Sequence, residues 1–139
     1  MVKKSLIEQE KWEEITAISA EAVRMMLGYT LKHVGVNCQD ETEAVKAAQL
    51  LCQMFGMEYR PGNSSVFAGT AVEFNKKPGR GTHGHIAIGV NNVDRAVYHL
   101  SRLGVSFDES SRRAGANGQS KLIYLSDEIA GFALHLVLN

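Results

Sequence analysis

Three histidines and a glutamate stand in runs where apolar residues dominate. His33, Glu73, His85 and His135 each belong to a short alternating segment whose other face is aliphatic or aromatic. Val34 follows His33, Val72 and Phe74 flank Glu73, Ile86 follows His85, and Leu134 and Leu136 flank His135. A buried carboxylate without a partner is costly. Three imidazoles and one carboxylate converging on a divalent cation remove that cost, and the donor set suits Zn, Ni, Co, Mn or Fe. The other two histidines lack this placement: His99 lies on a predicted helix beside Tyr98, and His83 lies in a loop.

The elements that would position these residues come in two similar halves. From Gly84 to Phe107 the pattern predicts a strand with His85, Ala87 and Gly89 on one face, then an Asn92 cap. A helix carrying Val93, Ala96, Val97 and Leu100 follows, closed by Gly104, and the strand Val105–Phe107 returns. The same order occurs 52 residues earlier: a strand with His33, Gly35 and Asn37, an Asp40 cap, a helix with Ala44, Ala48, Leu51 and Phe55, a stop at Gly56, and the strand Met57–Tyr59. Such an echo reads as internal duplication. Further strands are predicted at Ser64–Ala68 and Thr70–Asn75 in the first half, and at Leu122–Leu125 and Gly131–Leu138 in the second. Asp108–Ser120 reads as a polar, mobile loop and Lys76–Gly84 as a glycine-rich basic one.

The expected fold is therefore α+β: two tandem βαβββ modules, about residues 32–76 and 84–139, forming a cupped, barrel-like mixed sheet. Residues 1–31 form an N-terminal helical extension. There an apolar stripe through Ile7, Trp12, Ile15, Ile18, Val23 and Leu27 predicts two short helices or one kinked helix, interrupted near Thr16–Ser19 and stopped at Gly28. Duplication makes the sites equivalent in pairs, His33 with His85 and Glu73 with His135.

Bulk properties narrow the function. The chain of 139 residues is 45% apolar, enough for one substantial core, and its 15 basic residues balance 15 acidic ones. No basic stripe suggests nucleic acid, and no apolar run or leader pattern suggests a membrane or secretion, so a cytoplasmic location is expected. Cys38 and Cys52 are too few and too far apart for a zinc motif or a disulfide framework.

The stretch GTHGHIAIGVNNVDRAVYHL, with the AVEF strand around Glu73, resembles the vicinal oxygen chelate (glyoxalase/bleomycin-resistance/dioxygenase) superfamily over roughly residues 32–139. The resemblance implies paired βαβββ modules whose sheets cup a metal held by His33, Glu73, His85 and His135. At the last position glyoxalase I carries a glutamate that is also its catalytic base; here it is His135, which leaves Glu73 as the candidate base. The runs EITAISAEAVRMMLGYTLKHVGVN, GNSSVFAGTAVEF and GFALHLVLN further resemble the C-terminal extension of some bacterial 2-dehydro-3-deoxyphosphogluconate/4-hydroxy-2-oxoglutarate aldolases. The Schiff-base aldolase barrel itself needs roughly 200 residues or more and has no room here.

These features predict a divalent-metal-dependent lyase or isomerase acting on a small 2-oxo or 2-hydroxy acid or sugar-acid metabolite. The alternative is a non-catalytic metal- and metabolite-binding accessory domain. An extradiol dioxygenase uses two histidines and one carboxylate with open positions, one of which His135 would fill. Among the loop cations Arg60, Lys76, Arg80, Arg112 and Arg113, Arg60 beside Pro61–Gly62–Asn63 is the candidate for holding the substrate anion. Exposed sheet edges and the apolar N-terminal stripe predict a homodimer.

Overall fold

Chain order in the computed structural model, which describes residues 2–139, is as follows: α1 (Lys4–Glu8), α2 (Trp12–Leu27), β1 (Thr30–Asn37), α3 (Glu41–Phe55), β2 (Tyr59–Pro61), β3 (Ser65–Ala68), β4 (Val72–Asn75), β5 (Gly84–Val90), α4 (Val93–Ser101), β6 (Phe107–Ala114), β7 (Ser120–Ile129) and β8 (Phe132–Leu138). The strands form one curved, open sheet in the order β2-β3-β4-β1-β5-β8-β7-β6. Each half contributes four consecutive positions. The first strand of each half lies parallel to its last, β1 to β4 and β5 to β8, while β1 and β5 pair antiparallel at the centre. The two modules of one chain therefore pair with each other.

Local signals set the helices. The Asp40 carboxylate accepts from the Glu43 amide at 2.8 Å, and the Glu43 side chain accepts from the Gln39 amide at 2.7 Å, a reciprocal cap for α3. Asn92 caps α4 by accepting from the Arg95 amide at 2.8 Å. Each helix buries its small-residue stripe on the convex face of its own module. Ala44 and Ala48 of α3 pack with Val66, Ala68 and Phe74; Val93 and Ala96 of α4 pack with Val90, Ile123 and Leu136. Leu27, the last residue of α2, joins the second cluster at 2% exposure. The concave face is left to the alternate residues, including the four singled out above.

The structure corrects several local expectations. α2 is continuous through Thr16–Ser19, where the Thr16 and Ser19 hydroxyls donate back to the Trp12 and Ile15 carbonyls at 2.8 Å instead of capping a new helix. The break falls instead at residues 9–11. Most of the predicted loop Asp108–Ser120 is strand β6. It is an edge strand, so its charged residues face solvent, while Ser111 turns inward and its hydroxyl accepts from the Tyr124 amide at 2.9 Å. The strands β2 and β6 begin two residues later than their predicted starts at Met57 and Val105. β7 is longer than predicted and turns into β8 through Ala130 and Gly131, both at positive φ (51° and 79°).

Candidate metal centre

Strand register brings the four residues together in two adjacent rows. Glu73, Gly35 and His85 lie side by side on β4, β1 and β5; His33, Ala87, His135 and Tyr124 lie side by side on β1, β5, β8 and β7. Cross-strand partners share a face. Small residues at Gly35 and Ala87 leave room for the rings. A Cβ on Gly35 would fall 2.1 Å from Cε1 of His85, so His85 occupies the space that a side chain on β1 would take.

Nε2 of His33 lies 3.0 Å from Nε2 of His85, and Oε2 of Glu73 lies 3.2 and 3.1 Å from those two nitrogens. With Glu73 ionised, no arrangement of protons on the two imidazoles satisfies this triangle. If both nitrogens carry hydrogen they donate to Glu73 but repel each other; if one is bare, its lone pair faces the carboxylate. A cation at the centre resolves all three contacts, and donor atoms bound at about 2.0–2.2 Å to one ion sit about 3.0–3.5 Å apart. His135 completes the group: His33, His85 and His135 offer ring nitrogens within 4.8 Å of one another. Glu73 closes on the first two histidines rather than on His135.

His135 supplies the clearest sign that something is to be bound. It is 4% exposed, and neither ring nitrogen has a hydrogen-bond partner. An unsatisfied buried polar group costs about 1–3 kcal/mol. Burial first, then repulsion from His85 and His33, pushes its pKa down to about 4, so the ring is neutral and free to donate a lone pair near neutral pH. Burial alone would raise the Glu73 carboxyl. Hydrogen bonds from His33, His85 and Ser65, with attraction to His85, overcome that and hold it well below the usual carboxylate range. An anionic carboxylate and a neutral, unpaired imidazole fit a metal site.

Aromatic neighbours wall the cluster. Phe67 meets the His33 ring edge-on at 5.7 Å, and Tyr124 stacks on His135 at 4.8 Å with an interplanar angle of 21°. Neither was singled out in the sequence, where an aromatic residue in a strand reads as core; their register with Glu73 and His135 is the signal that would have found them. A cavity of about 190 Å³ borders His85 and Tyr124 and reaches Asn75, Lys77 and Arg80.

The remaining candidates are dispersed. Arg60 is on edge strand β2, in the same row as Phe67 and Glu73, with its Nε and Nη2 both donating to Glu58 at 2.8 and 2.6 Å. Lys76 pairs with Glu41, and Arg112 with Asp94 and Glu109. His83 packs on Phe132 outside the cluster.

No family model matches the sequence, and no curated protein does. Solved structures match by shape. A hypothetical protein from Bacillus halodurans C-125 superposes with a TM-score of 0.55 at 13% identity, over 80% of this chain and 94% of that one. A variant of the Streptomyces coelicolor methylmalonyl-CoA epimerase in complex with 2-nitronate-propionyl-CoA gives 0.54 at 17%, over 78% and 96%. The methylmalonyl-CoA epimerase from Mycobacterium tuberculosis gives 0.51 at 17%, over 81% and 89%. At these identities the likeness establishes architecture: the chain shares the fold of these structures, two paired βαβββ modules, as the resemblance to the vicinal oxygen chelate superfamily led us to expect.

Proposed function

We propose that this protein is a divalent-metal-dependent enzyme of the isomerase or lyase type, acting on a small 2-oxo or 2-hydroxy acid or sugar-acid metabolite. The observation that carries the reading is the unsatisfied cluster on the concave face: His33, Glu73 and His85 in mutual contact, with the buried, unpartnered His135 beside them. These four residues would hold the ion. When bound, a divalent cation polarises adjacent oxygens and stabilises negative charge developing on them. Glu73 would take or return a proton on the carbon next to the polarised oxygens. Tyr124 and Phe67 exclude water and fix the orientation of the rings they pack on. The epimerase names of two neighbours describe a proton shift at carbon, the same class of chemistry, and so support the isomerase reading.

One observation favours the alternative, a metal- and metabolite-binding domain without turnover. A base works best with a pKa near the working pH, and Glu73 is held far below it. The likeness to the aldolase C-terminal extension belongs with this alternative and rests on sequence motifs alone. A single experiment separates the two. Metal content is measured on the purified protein, and deuterium exchange into the methyl group of pyruvate is followed with and without added zinc or manganese. The enzyme reading expects metal-dependent exchange that Glu73→Gln abolishes. Metal binding with exchange no faster than buffer would establish the binding module, and failure to take up metal would remove both readings.

The same reasoning extends to assembly: a homodimer built on α2 accounts for the apolar face that helix leaves exposed.

A further inference from the structure

We propose that the loop between β4 and β5 forms an anion subsite beside the histidine cluster, in which Arg80 receives the carboxylate of a short-chain 2-oxo acid. That this acid is a substrate rests on the function proposed above; the subsite itself rests on geometry. The cavity of about 190 Å³ that borders His85 and Tyr124 is also lined by Arg80, Lys77 and Asn75, and by no acidic side chain. Lys77 and Arg80 are the charged side chains of the lining; Asp108 pairs with Arg80 from outside it, and Glu73 lies behind His85.

Arg80 is fixed in place from several directions. Its Nη2 donates to Asp108 at 2.7 Å, and its guanidinium lies 4.7 Å from the centroid of the Tyr124 ring, which itself stacks on His135. The loop backbone is pinned to the end of β1: Asn37 Nδ2 donates to the Gly81 carbonyl at 2.8 Å, and the Gly79 amide donates to Asn37 Oδ1 at 3.1 Å. Among the described residues, Nε and Nη1 of Arg80 donate to no protein acceptor, so the guanidinium keeps N–H donors beside the cavity while Asp108 holds Nη2. The fork of Arg60, by contrast, is already engaged by Glu58, and Arg60 opens on a different cavity with Phe67 and Thr70.

Size narrows the ligand. The cavity is smaller than the roughly 300–1,000 Å³ of pockets that take drug-sized molecules, which fits an acid of a few carbon atoms. Such an acid, with its carboxylate on Arg80, would direct its adjacent oxo group toward His85.

The test is titration of pyruvate, with its neutral methyl ester for comparison, into wild type, Arg80→Gln, Arg80→Lys and Arg60→Gln, each metal-free and zinc-loaded. Calorimetry or ligand-observed NMR gives the affinities, and circular dichroism reports folding. We expect Arg80→Gln to weaken pyruvate roughly ten- to a hundredfold, as loss of a charge-assisted pair does, and Arg80→Lys to weaken it less. Zinc affinity and ester binding should stay as in the wild type. No saturable pyruvate binding by the wild type, an unchanged affinity in Arg80→Gln, or a loss confined to Arg60→Gln would overturn the proposal. If the protein takes up no zinc yet pyruvate binding still depends on Arg80, the metal-based function fails and the subsite stands.

Discussion

Gly35 and His85 face each other across the central strand pair, and the missing side chain on Gly35 sets where the imidazole can lie. Gly35→Ala should therefore displace His85 without removing a ligand, lowering zinc affinity roughly ten- to a hundredfold, the range seen when supporting residues are lost. His85→Ala should lose at least as much. Competition titration against a zinc chelator measures both, and a Gly35→Ala variant with wild-type affinity would show that the His85 ring is not a ligand. Protons enter the same account. His135 has a folded pKa of about 4 against an ordinary value of about 6.5, so as pH falls the unfolded chain takes up the proton first. Metal-free stability should be level above about pH 6.5 and decline from there to about pH 4, by on the order of 3 kcal/mol. Glu73 adds a second loss below the ordinary carboxylate pKa of about 4.3, because its folded value is depressed. Urea denaturation at pH 7.5 and 5.0 reads the upper window, and His135→Leu should flatten it.

Elements with strong local signals were legible in the sequence. Asp40 and Asn92 marked the starts of α3 and α4, and the period-two alternation around His33 and His85 marked β1 and β5 with their inward faces. Those strands carry His33 and His85, and the same alternation around Glu73 and His135 marks the inward faces of β4 and β8. β6 was not legible: an edge strand needs no apolar face on its solvent side, so its paired charges look like a loop, and beyond Phe107 only the small polar Ser111 is buried. The unbroken course of α2 was hidden because Thr16 and Ser19 satisfy their hydroxyls within the helix. Arg80 could be noted as a loop cation, but its stacking on Tyr124 joins residues far apart in the chain and depends on the turn of β7 into β8. That turn is itself open to improvement. Ala130 sits at φ 51°, in the left-handed region that costs a residue with a Cβ roughly 1–2 kcal/mol, ahead of Gly131 at φ 79°. Asn-Gly is the preferred pair for such a hairpin, so Ala130→Asn should stabilise the protein by about 1 kcal/mol in urea denaturation.

Across the whole molecule, the sheet leaves single apolar side chains such as Leu31 and Ile129 exposed, whereas α2 leaves several on one helix. Edge strand β2 has three residues and ends in Pro61, and β6 is irregular and charged, so neither edge suits a ninth strand. α2, by contrast, exposes Trp12 (58%), Met25 (65%) and, less fully, Ile18 and Met26. Light scattering at micromolar concentration should therefore report a dimer. Ile18→Glu with Met25→Glu should yield a monomer with unchanged zinc affinity; a wild-type monomer would count against the assembly. Truncation is the cruder probe, and it must stop short of Val23, because Leu27 belongs to the core.

The axis between β1 and β5 exchanges His33 with His85 and Gly35 with Ala87, like for like or nearly so. It exchanges Glu73 with His135, an anion with a neutral ring, and Tyr124 and Arg80 stand on the His135 side. A ligand that is itself symmetrical, such as malonate, meets a carboxylate at one end and a cation resting on an aromatic ring at the other. Its two ends become inequivalent on binding, which carbon NMR would register as two signals from one. A half-turn about that axis nearly restores the fold, yet the site it encloses has two different ends.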